Sequence, residues 1–159
     1  METTFAMFRE TEVPKEQEII SLTDFSGVIT YVNDTFADIS GYTTEALIGK
    51  PHNLIRHPDM PKSVFATLWK DLKADKPWQG YVKNLRKDGG YYWVFARVSV
   101  VMKEGKPIGY KSVREPISDA KKIEMQDHYD TLRSQEEDQT RIVLYVENSK
   151  LDAAKALEV

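Results

Sequence analysis

The sequence predicts an α+β domain, a five-stranded antiparallel sheet with a helical cover on one face. Two β-prone runs precede a central helical region and three follow it, and glycine-containing turns join the last three. Strands joined by such short turns must lie side by side in one sheet. With 159 residues, 41% of them apolar, the chain is long enough for one domain and its flanks.

Two strands and a helix open the domain. Runs rich in β-branched residues predict strands over 18–24 and 28–32, and the turn between them ends at Gly27. Asn33 follows the second strand, and its side-chain oxygen suits the cap of a helix over 34–40. A glycine directly after that helix is typical of a helix end.

A short second helix over 43–47 leads into a proline-rich loop, residues 51–61. Proline fixes φ and disfavours helix in the residue before it, which predicts a shaped loop or a broken helix. The loop holds two of the chain's three histidines, an arginine and an aspartate: His52, His57, Arg56 and Asp59. Such a loop suits an anion or the polar edge of a cofactor, and solvated charges on a loop that only steers the chain are an equal alternative.

The clearest helix covers residues 62–74, where apolar residues recur at spacings of three and four. Its apolar stripe consists of Val64, Phe65, Leu68, Trp69 and Leu72. Strands follow over 78–86, 91–102 and 107–115, and turns that contain glycine separate them. The helix should therefore cover one face of the sheet that these strands help to form.

Alternation along the long strand assigns its two faces. The inward face carries the small aliphatic residues Val94, Ala96, Val98 and Val100. The outward face carries Tyr91, Trp93, Phe95, Arg97 and Ser99. Trp93 and Phe95 would form an apolar patch that is large for a monomer, so the N-terminal cap, a second copy of the chain or another domain should cover it.

The preceding strand also has one distinctive face. That face carries Trp78, Gly80, Val82, Asn84 and Arg86. If it points inward, the Asn84 amide is buried and must find hydrogen-bond partners. A heterocycle with imide groups would supply them, and so would the backbone of a covering helix.

The flanks differ from the domain in composition. The chain divides into an N-terminal cap, the domain itself, an exit helix with a linker, and a tail or a fragment of a next segment: 1–17, 18–116, 117–140 and 141–159. The exit helix is predicted over 117–135, with a narrow apolar stripe suited to meeting another helix. A charged linker over 135–140 and a β-prone run over 141–146 follow, and the closing Leu-Glu-Val resembles an expression scar.

Composition excludes several functions. A net charge of −3 with no basic stripe argues against nucleic acid as a partner. The absence of cysteine excludes disulfides and thiolate chemistry. No apolar run could span a bilayer and no signal peptide is visible, so we expect a cytoplasmic chain without membrane insertion. The sequence lacks nucleophile, metal and phosphate-loop motifs, so we do not expect an enzyme.

Several motifs resemble a known family. The segments at 29–36 (ITYVNDTF) and 40–42 (SGY) resemble the opening of a PAS domain. Further elements resemble one branch, the flavin-binding PAS domain of aerotaxis receptors and related chemoreceptors: PHN at 51–53, RHPDMP at 56–61, Trp69, PWQG at 77–80, VKN at 82–84 and YWV at 92–94. The resemblance covers residues 16–116, and Gly27 is a departure, at a turn where other members use a polar residue.

The resemblance implies a PAS fold that holds FAD non-covalently between helices and sheet. It also implies that the redox state of FAD follows the respiratory chain and changes docking on a downstream signalling module, in a parent protein anchored to the inner membrane. Carried over residue by residue, the cofactor shell would contain Asn33, His52, Arg56, His57, Asp59, Trp69, Trp78, Asn84 and Arg114. Ser112 and Arg114 on the last strand occupy positions where PAS domains often place a polar side chain that contacts the ring. The receptor would dimerise through the outer sheet face (Trp93, Phe95) or the exit helix.

The carried-over residues have distinct expected roles. Arg56 and His57 would donate to pyrophosphate or ribose oxygens, and Asp59 would orient them. Either tryptophan, Trp69 or Trp78, would stack on or beside the flavin ring. The Asn84 amide would bond the pyrimidine edge of the flavin.

Three rival readings follow from the same residues. A light sensor of the LOV type needs a cysteine, which the chain lacks. A haem-binding gas sensor would need an axial ligand, and His52 and His57 lie in the helical cover. A ligand-free PAS dimerisation module would use Arg56, His57 and Asp59 as a salt-bridged loop, with both tryptophans in the core.

Overall fold

The computed structural model describes the backbone of residues 9–147 and the side chains of residues 9–136. The first eight residues of the predicted cap and the end of the predicted tail, 148–159, lie outside this part of the chain. Across the described residues, no helix combines the length and the apolar character that crossing a bilayer requires.

The described strands form one five-stranded antiparallel sheet, which confirms the predicted fold class. In chain order the strands are β1 (Ile19–Thr23), β2 (Ile29–Val32), β3 (Trp78–Leu85), β4 (Tyr91–Lys103) and β5 (Lys106–Glu115). Their order across the sheet is β2-β1-β5-β4-β3. The first strand thus pairs with the last, with Ser21 opposite Ser112, and residues from both ends of the chain meet at the sheet centre.

Helices cover the inner face of the sheet. They are α1 (Asp34–Ser40), α2 (Thr44–Leu47), a 3₁₀ helix (His52–Ile55) and α3 (Lys62–Lys73), and the long α4 (Asp119–Glu147) follows the sheet. Asn33 caps α1 as predicted, because its Oδ1 accepts the Phe36 N–H at 3.0 Å. Gly41 ends this helix at a φ of 79°, the left-handed conformation that glycine adopts at low cost.

The core lies between the inner face and the covering helices. Its fully buried residues include Ile19, Ile29, Phe36, Leu47, Ile55 and Val94. On β4, Val94, Ala96 and Val98 are all buried, as the alternation predicted. The two faces of the sheet were therefore correctly assigned from the sequence.

Helix α4 differs from its prediction at its C-terminal end. It continues through the segments expected to be a linker, 135–140, and a β-prone run, 141–146, so both predictions were wrong. The segment 119–147 contains neither glycine nor proline, and each added residue extends the ladder by one hydrogen bond. The β-branched residues at 141–146 carry only a weak preference, which a growing helix overrides.

The outer face of the sheet is covered by the chain's own exit helix. Trp93 is 3% exposed and stacks on Tyr129 of α4, with ring centroids 6.2 Å apart. The Tyr129 hydroxyl donates to the Tyr81 carbonyl at 2.6 Å. The expected dimer surface at Trp93 was therefore wrong, because α4 already buries this side chain. Phe95 stays half-buried beside Tyr81.

The described part of the N-terminal cap also docks on the body. The Thr11 N–H donates to the Tyr91 carbonyl at 2.9 Å, and Val13 is buried. Lys122 of α4 forms ion pairs with Glu10 and Glu12. The cap and the exit helix thus contact each other near the N-terminal end of β4.

Candidate functional site

A cavity of about 270 Å³ lies between the inner face of the sheet, the 3₁₀ helix and α3. Its apolar lining includes Ile55, Phe65, Leu68, Trp69, Leu72, Trp78, Val82, Ala96, Val98 and Tyr110. Its polar lining includes Ser21, Thr23, Ser26, His52, Asn53, Arg56, Asn84, Ser112 and Arg114. A mostly apolar wall with a few placed polar groups is the usual composition of a small-molecule site.

Aromatic side chains from helix and sheet form two walls of the cavity. Trp69 of α3 meets Tyr110 of β5 edge to face, with centroids 5.9 Å apart. Trp78 of β3 reaches toward α3, where its Nε1–H donates to Thr67 Oγ1 at 3.2 Å. Both tryptophans line the cavity. Aromatic side chains in such a position can pack against a flat ring system.

Four polar side chains lie together at the floor of the cavity, and we call them the inner polar cluster: Ser21, His52, Asn84 and Arg114. Arg114 Nη2 donates to Ser21 Oγ at 3.1 Å and lies 2.7 Å from His52 Nε2. A guanidinium only donates, so His52 Nε2 must accept, and the imidazole is neutral with its proton on Nδ1. Burial, and then the Arg114 charge, lower the pKa of His52 to about 3, which agrees with this assignment.

Buried donors in and beside this cluster lack acceptors. Within residues 9–136, Arg114 Nη1, Asn84 Nδ2 and the Tyr92 hydroxyl make no hydrogen bond of ordinary geometry, although the Asn84 side chain lies close enough to the Tyr92 hydroxyl to lower its pKa slightly against the effect of burial. Arg114 is 4% exposed and forms no ion pair with the described residues. Burial lowers the pKa of Arg114 to about 10, so the side chain is still a cation at neutral pH. A ligand with acceptor atoms and partial negative charge would satisfy these groups.

Arg56 lies at the mouth of the cavity. Its guanidinium sits 3.8 Å above the Phe65 ring of α3. Its backbone pairs with Asn84 of β3 through an isolated antiparallel bridge. Arg56 is exposed, and it therefore lies where the solvent-facing part of a bound ligand would pass.

Three of the predicted site residues, Asn33, His57 and Asp59, do not line the cavity. Asn33 joins β1 to α1, since its Nδ2 donates to the Glu18 carbonyl at 2.8 Å. His57 Nδ1 accepts the Asp59 N–H at 3.0 Å, and Asp59 pairs with Lys83 at 2.7 Å. Because these side chains are engaged by the protein itself, the geometry gives no support to their expected contact with a cofactor.

A second set of polar side chains lies on the far side of β3, and we call it the outer polar cluster: Asp59, Lys83, Gln126 and Arg133. His57 borders this cluster. Lys83 Nζ donates to Gln126 Oε1 at 3.0 Å, and Arg133 Nη1 donates to the Asp59 carbonyl at 2.8 Å. Burial acts to raise the pKa of Asp59, but Lys83 lowers it below the ordinary value. Burial, and then Lys83, lower the pKa of His57 to about 4.

Sequence reasoning missed Ser21 and Tyr92. Ser21 lies on the inward face of β1 with Ile19, so it is a polar residue at a core position. Tyr92 shares the inward face of β4 with Val94 and is fully buried, and burial raises the pKa of its hydroxyl to about 12. The alternation that assigned the faces could have identified both residues.

Comparison with known proteins gives one family and several relatives. The family described as PAS fold matches residues 29–114. The chain is 47% identical over 111 residues to the aerotaxis receptor of Escherichia coli (strain K12), covering 70% of this chain and 22% of that protein. It is 30% identical over 109 residues to a nitrogen fixation regulatory protein of Klebsiella pneumoniae, covering 68% of this chain and 22% of that protein. The chain thus spans about a fifth of the length of these relatives.

Solved structures agree on the fold. The PAS domain of a protein from Colwellia psychrerythraea superposes with a TM-score of 0.57 at 24% identity, over 63% of this chain and 86% of that one. The light-state structure of the blue-light photoreceptor Aureochrome1 LOV superposes with a TM-score of 0.60 at 17% identity, over 77% of this chain and 93% of that one. At these identities the likeness supports the fold alone.

Proposed function

The chain belongs to the PAS fold family, and from this premise we propose that it is a redox-sensing domain whose cavity binds FAD non-covalently. In this proposal the domain reports the redox state of the flavin to a downstream signalling module of an aerotaxis-type chemoreceptor. The 47% identity to an aerotaxis receptor supports the choice of parent protein. The observation that carries the choice of ligand is the set of buried donors without acceptors.

The pyrimidine edge of a flavin carries carbonyl oxygens and ring nitrogens that accept hydrogen bonds. Arg114 Nη1 and Asn84 Nδ2 are buried donors at the polar part of the cavity and lack such acceptors within residues 9–136. Each unsatisfied buried donor costs on the order of 1–3 kcal/mol, which a bound ring would recover. The apolar part of the lining, between Trp69 and Trp78, suits the hydrocarbon end of the same ring.

The size of the cavity suits a ring system more than a whole dinucleotide. At about 270 Å³ it lies at the lower limit of ligand sites, which span roughly 300–1,000 Å³. The nucleotide tail would therefore leave through the mouth, beside Arg56. The Arg56 guanidinium there is suited to pair with pyrophosphate oxygens.

A bound flavin would supply reversible electron transfer. The Arg114 cation would stabilise negative charge that develops at the pyrimidine edge, and it has no competing carboxylate among the described residues. Asn84 Nδ2 would donate to the same edge, and the neutral His52 would hold Arg114 in place. These residues would thereby set the redox potential of the site.

We propose that α4 carries the output. Asn84 faces the cavity, while its neighbour Lys83 points to the other side of β3 and bonds Gln126 of α4. On β4, Trp93 stacks on Tyr129 of the same helix. A shift of β3 or β4 on flavin reduction would therefore reach α4 directly.

We also propose how this chain is placed in its parent protein. Residues 18–116 would be the sensor, and 117–140 would connect it to the signalling module. The parent receptor would be anchored to the inner membrane with this domain in the cytoplasm, and α4 or the half-buried Phe95 would serve dimerisation. The relatives are named as a receptor and a regulator, and we propose no enzymatic activity.

The absorbance spectrum of the purified chain tests the ligand. We expect flavin bands in the near-ultraviolet and blue, and release of FAD on acid extraction. R114M and N84A should bind FAD at least about tenfold more weakly, a loss of roughly 1.4 kcal/mol or more. R97M, at an exposed arginine on the outer face, is the matched control and should retain FAD. A folded, colourless protein that rejects added FAD would refute the proposal.

The haem reading has less support in the geometry. Haem needs an axial ligand, and the lone pair of His52 Nε2 already accepts from Arg114. His57 does not line the cavity. The same spectrum separates the readings, because haem would give an intense Soret band. A ligand-free dimerisation module would leave the buried Arg114 Nη1 without an acceptor within residues 9–136.

A further inference from the structure

Trp78 and Gly80 form an unusual pair on β3. They are two residues apart and so lie on the same face of the strand. A Cβ atom built on Gly80 would lie 2.6 Å from Cζ2 and 2.7 Å from Cη2 of Trp78. Those distances are shorter than any ordinary contact, so the Trp78 indole occupies the space that a side chain at 80 would need. Gly80 does not have a positive φ, so the backbone conformation does not require glycine here. Glycine is instead required because any side chain would clash with the indole.

The other end of the same indole is fixed from the helical cover. Trp78 Nε1–H donates to Thr67 Oγ1 at 3.2 Å, and Thr67 Oγ1 donates in turn to the Val64 carbonyl at 2.6 Å. With its hydrogen directed at Val64, the Thr67 oxygen presents a lone pair to the indole. Trp78 is thus held at its nitrogen by α3 and lies with its benzene edge on the backbone of Gly80.

The surroundings of this indole define the shape of the cavity. Ala96, the residue opposite Gly80 in the sheet register, is also small and lines the cavity. Val82, the next inward residue of β3, lines it as well, whereas Gly80 is absent from the lining because the indole covers it. The inner face of the sheet therefore carries only small residues at Gly80 and Ala96, and the Trp78 indole packs against it there.

We propose that Gly80 is a positioning residue that keeps the Trp78 indole flat on the sheet and thereby sets the cavity width for a planar, fused-ring ligand. This inference deepens the proposed function, since it names the residue on which the shape of the ring site depends. Any side chain at 80 forces the indole off the strand, either into the cavity or away from Thr67.

A double-mutant cycle on FAD affinity tests the dependence on the indole. G80A should weaken FAD binding by about tenfold or more, because the displaced indole no longer leaves the width that the ring needs. W78F removes the benzene edge that the new methyl group would meet, so G80A added to W78F should change affinity less than about twofold. An equal effect of G80A in both backgrounds would overturn the inference.

A second readout does not require flavin. The indole N–H signal of Trp78, assigned in isotope-labelled protein by its loss in W78F, reports the bond to Thr67. G80A should shift this signal and speed its hydrogen exchange, and T67V should do the same. If no variant binds FAD but G80A moves the signal, the proposed ligand fails and the positioning role stands. An unchanged signal in G80A would overturn that role.

Folding of the variants is itself informative. If G80A does not fold and W78F/G80A does, the conflict with the indole is established. If W78F folds and neither G80A nor W78F/G80A does, the cost at Gly80 does not depend on Trp78, and the inference is wrong.

Discussion

The inner and outer polar clusters lie on opposite faces of the same strand and are completed in different ways. Lys83 and Asn84 are neighbours on β3, 7% and 3% exposed, and their side chains point to opposite sides of the sheet. On the outside, Lys83 Nζ has Asp59 at 2.7 Å, Gln126 at 3.0 Å and the Tyr91 ring at 4.3 Å. On the inside, Asn84 Nδ2 and Arg114 Nη1 have no partner within residues 9–136.

This difference separates a structural cluster from a binding cluster. A buried charge is tolerated when its hydrogen bonds are made, and it is costly when they are not. The outer polar cluster makes them within the chain and joins α4 to the loop before α3. Within residues 9–136, two donors of the inner polar cluster, Asn84 Nδ2 and Arg114 Nη1, lack acceptors, and in our proposal the ligand supplies them. The comparison predicts that removing a side chain from the two clusters has opposite effects on stability.

The largest expected effect is a fall in the free energy of unfolding at acidic pH. The inner polar cluster contains the neutral His52, and the outer polar cluster borders the neutral His57. The pKa values of His52 and His57 are lowered to about 3 and about 4 in the folded state. An unfolded histidine takes up a proton near pH 6.5, so between these values the unfolded state binds more protons. As the pH falls from about 7 to about 5, the free energy of unfolding should fall by about 4 kcal/mol.

Urea denaturation of the flavin-free protein at several pH values measures this slope. H52Q and H57Q should each remove about half of it. A stability that stays constant between pH 7 and pH 5 would show that the two buried imidazoles are not neutral in the folded state.

The next effect tests the outer polar cluster. K83M should lower the free energy of unfolding by about 2 kcal/mol, because it removes the ion pair between Lys83 and Asp59 and the hydrogen bond from Lys83 to Gln126 of α4. The value is below the range for fully buried pairs, since the Asp59 side chain is 37% exposed. R97M breaks the exposed Arg97–Glu115 pair and should cost less than about 0.5 kcal/mol in urea denaturation. Equal losses in the two variants would remove the structural role of Lys83.

The proline-rich loop shows how far the sequence could lead. The sequence indicated that its charged residues act together, and Arg56 does reach the cavity mouth with His52 deeper inside. His57 and Asp59 instead meet Lys83. Their partner is distant in sequence and lies on the outward face of β3, so only the folded chain brings them together. The grouping of these residues was predictable, and their division between two faces was not.

Local sequence patterns predicted the strands and helices better than they predicted which residues cover the outer face of the sheet. The alternation of β4 and the cap at Asn33 follow from short-range geometry, and both were correct. The covering of Trp93 by Tyr129 depends on where α4 returns after the sheet, which no local pattern encodes. The same distinction explains Ser21: its inward position was readable from β1, and its bond to Arg114 required the pairing of the first and last strands.

A smaller effect, of opposite sign, tests the inner polar cluster. N84L replaces a buried amide by an apolar side chain of similar size, which removes a donor that has no acceptor among the described residues. The flavin-free protein should become more stable by about 1 kcal/mol, while FAD binding is lost. Urea denaturation with and without FAD measures both quantities. A loss of stability in the flavin-free variant would place Asn84 with the structural residues and would end the contrast between the clusters.

The smallest effect concerns the edge of the outer polar cluster, where α4 caps α3. The Glu136 carboxylate accepts the N–H groups of Lys62 and Ser63 at 3.0 and 2.9 Å, at the positive end of the helix that covers the cavity. E136A should cost about 0.5–1 kcal/mol, the usual value of a helix cap, and E136Q about half of that because its amide oxygen still accepts. Because this cap joins the cavity cover to the exit helix, hydrogen exchange of the first turn of α3 should increase in E136A. An increase confined to α4 would mean that the two helices are not coupled at this point.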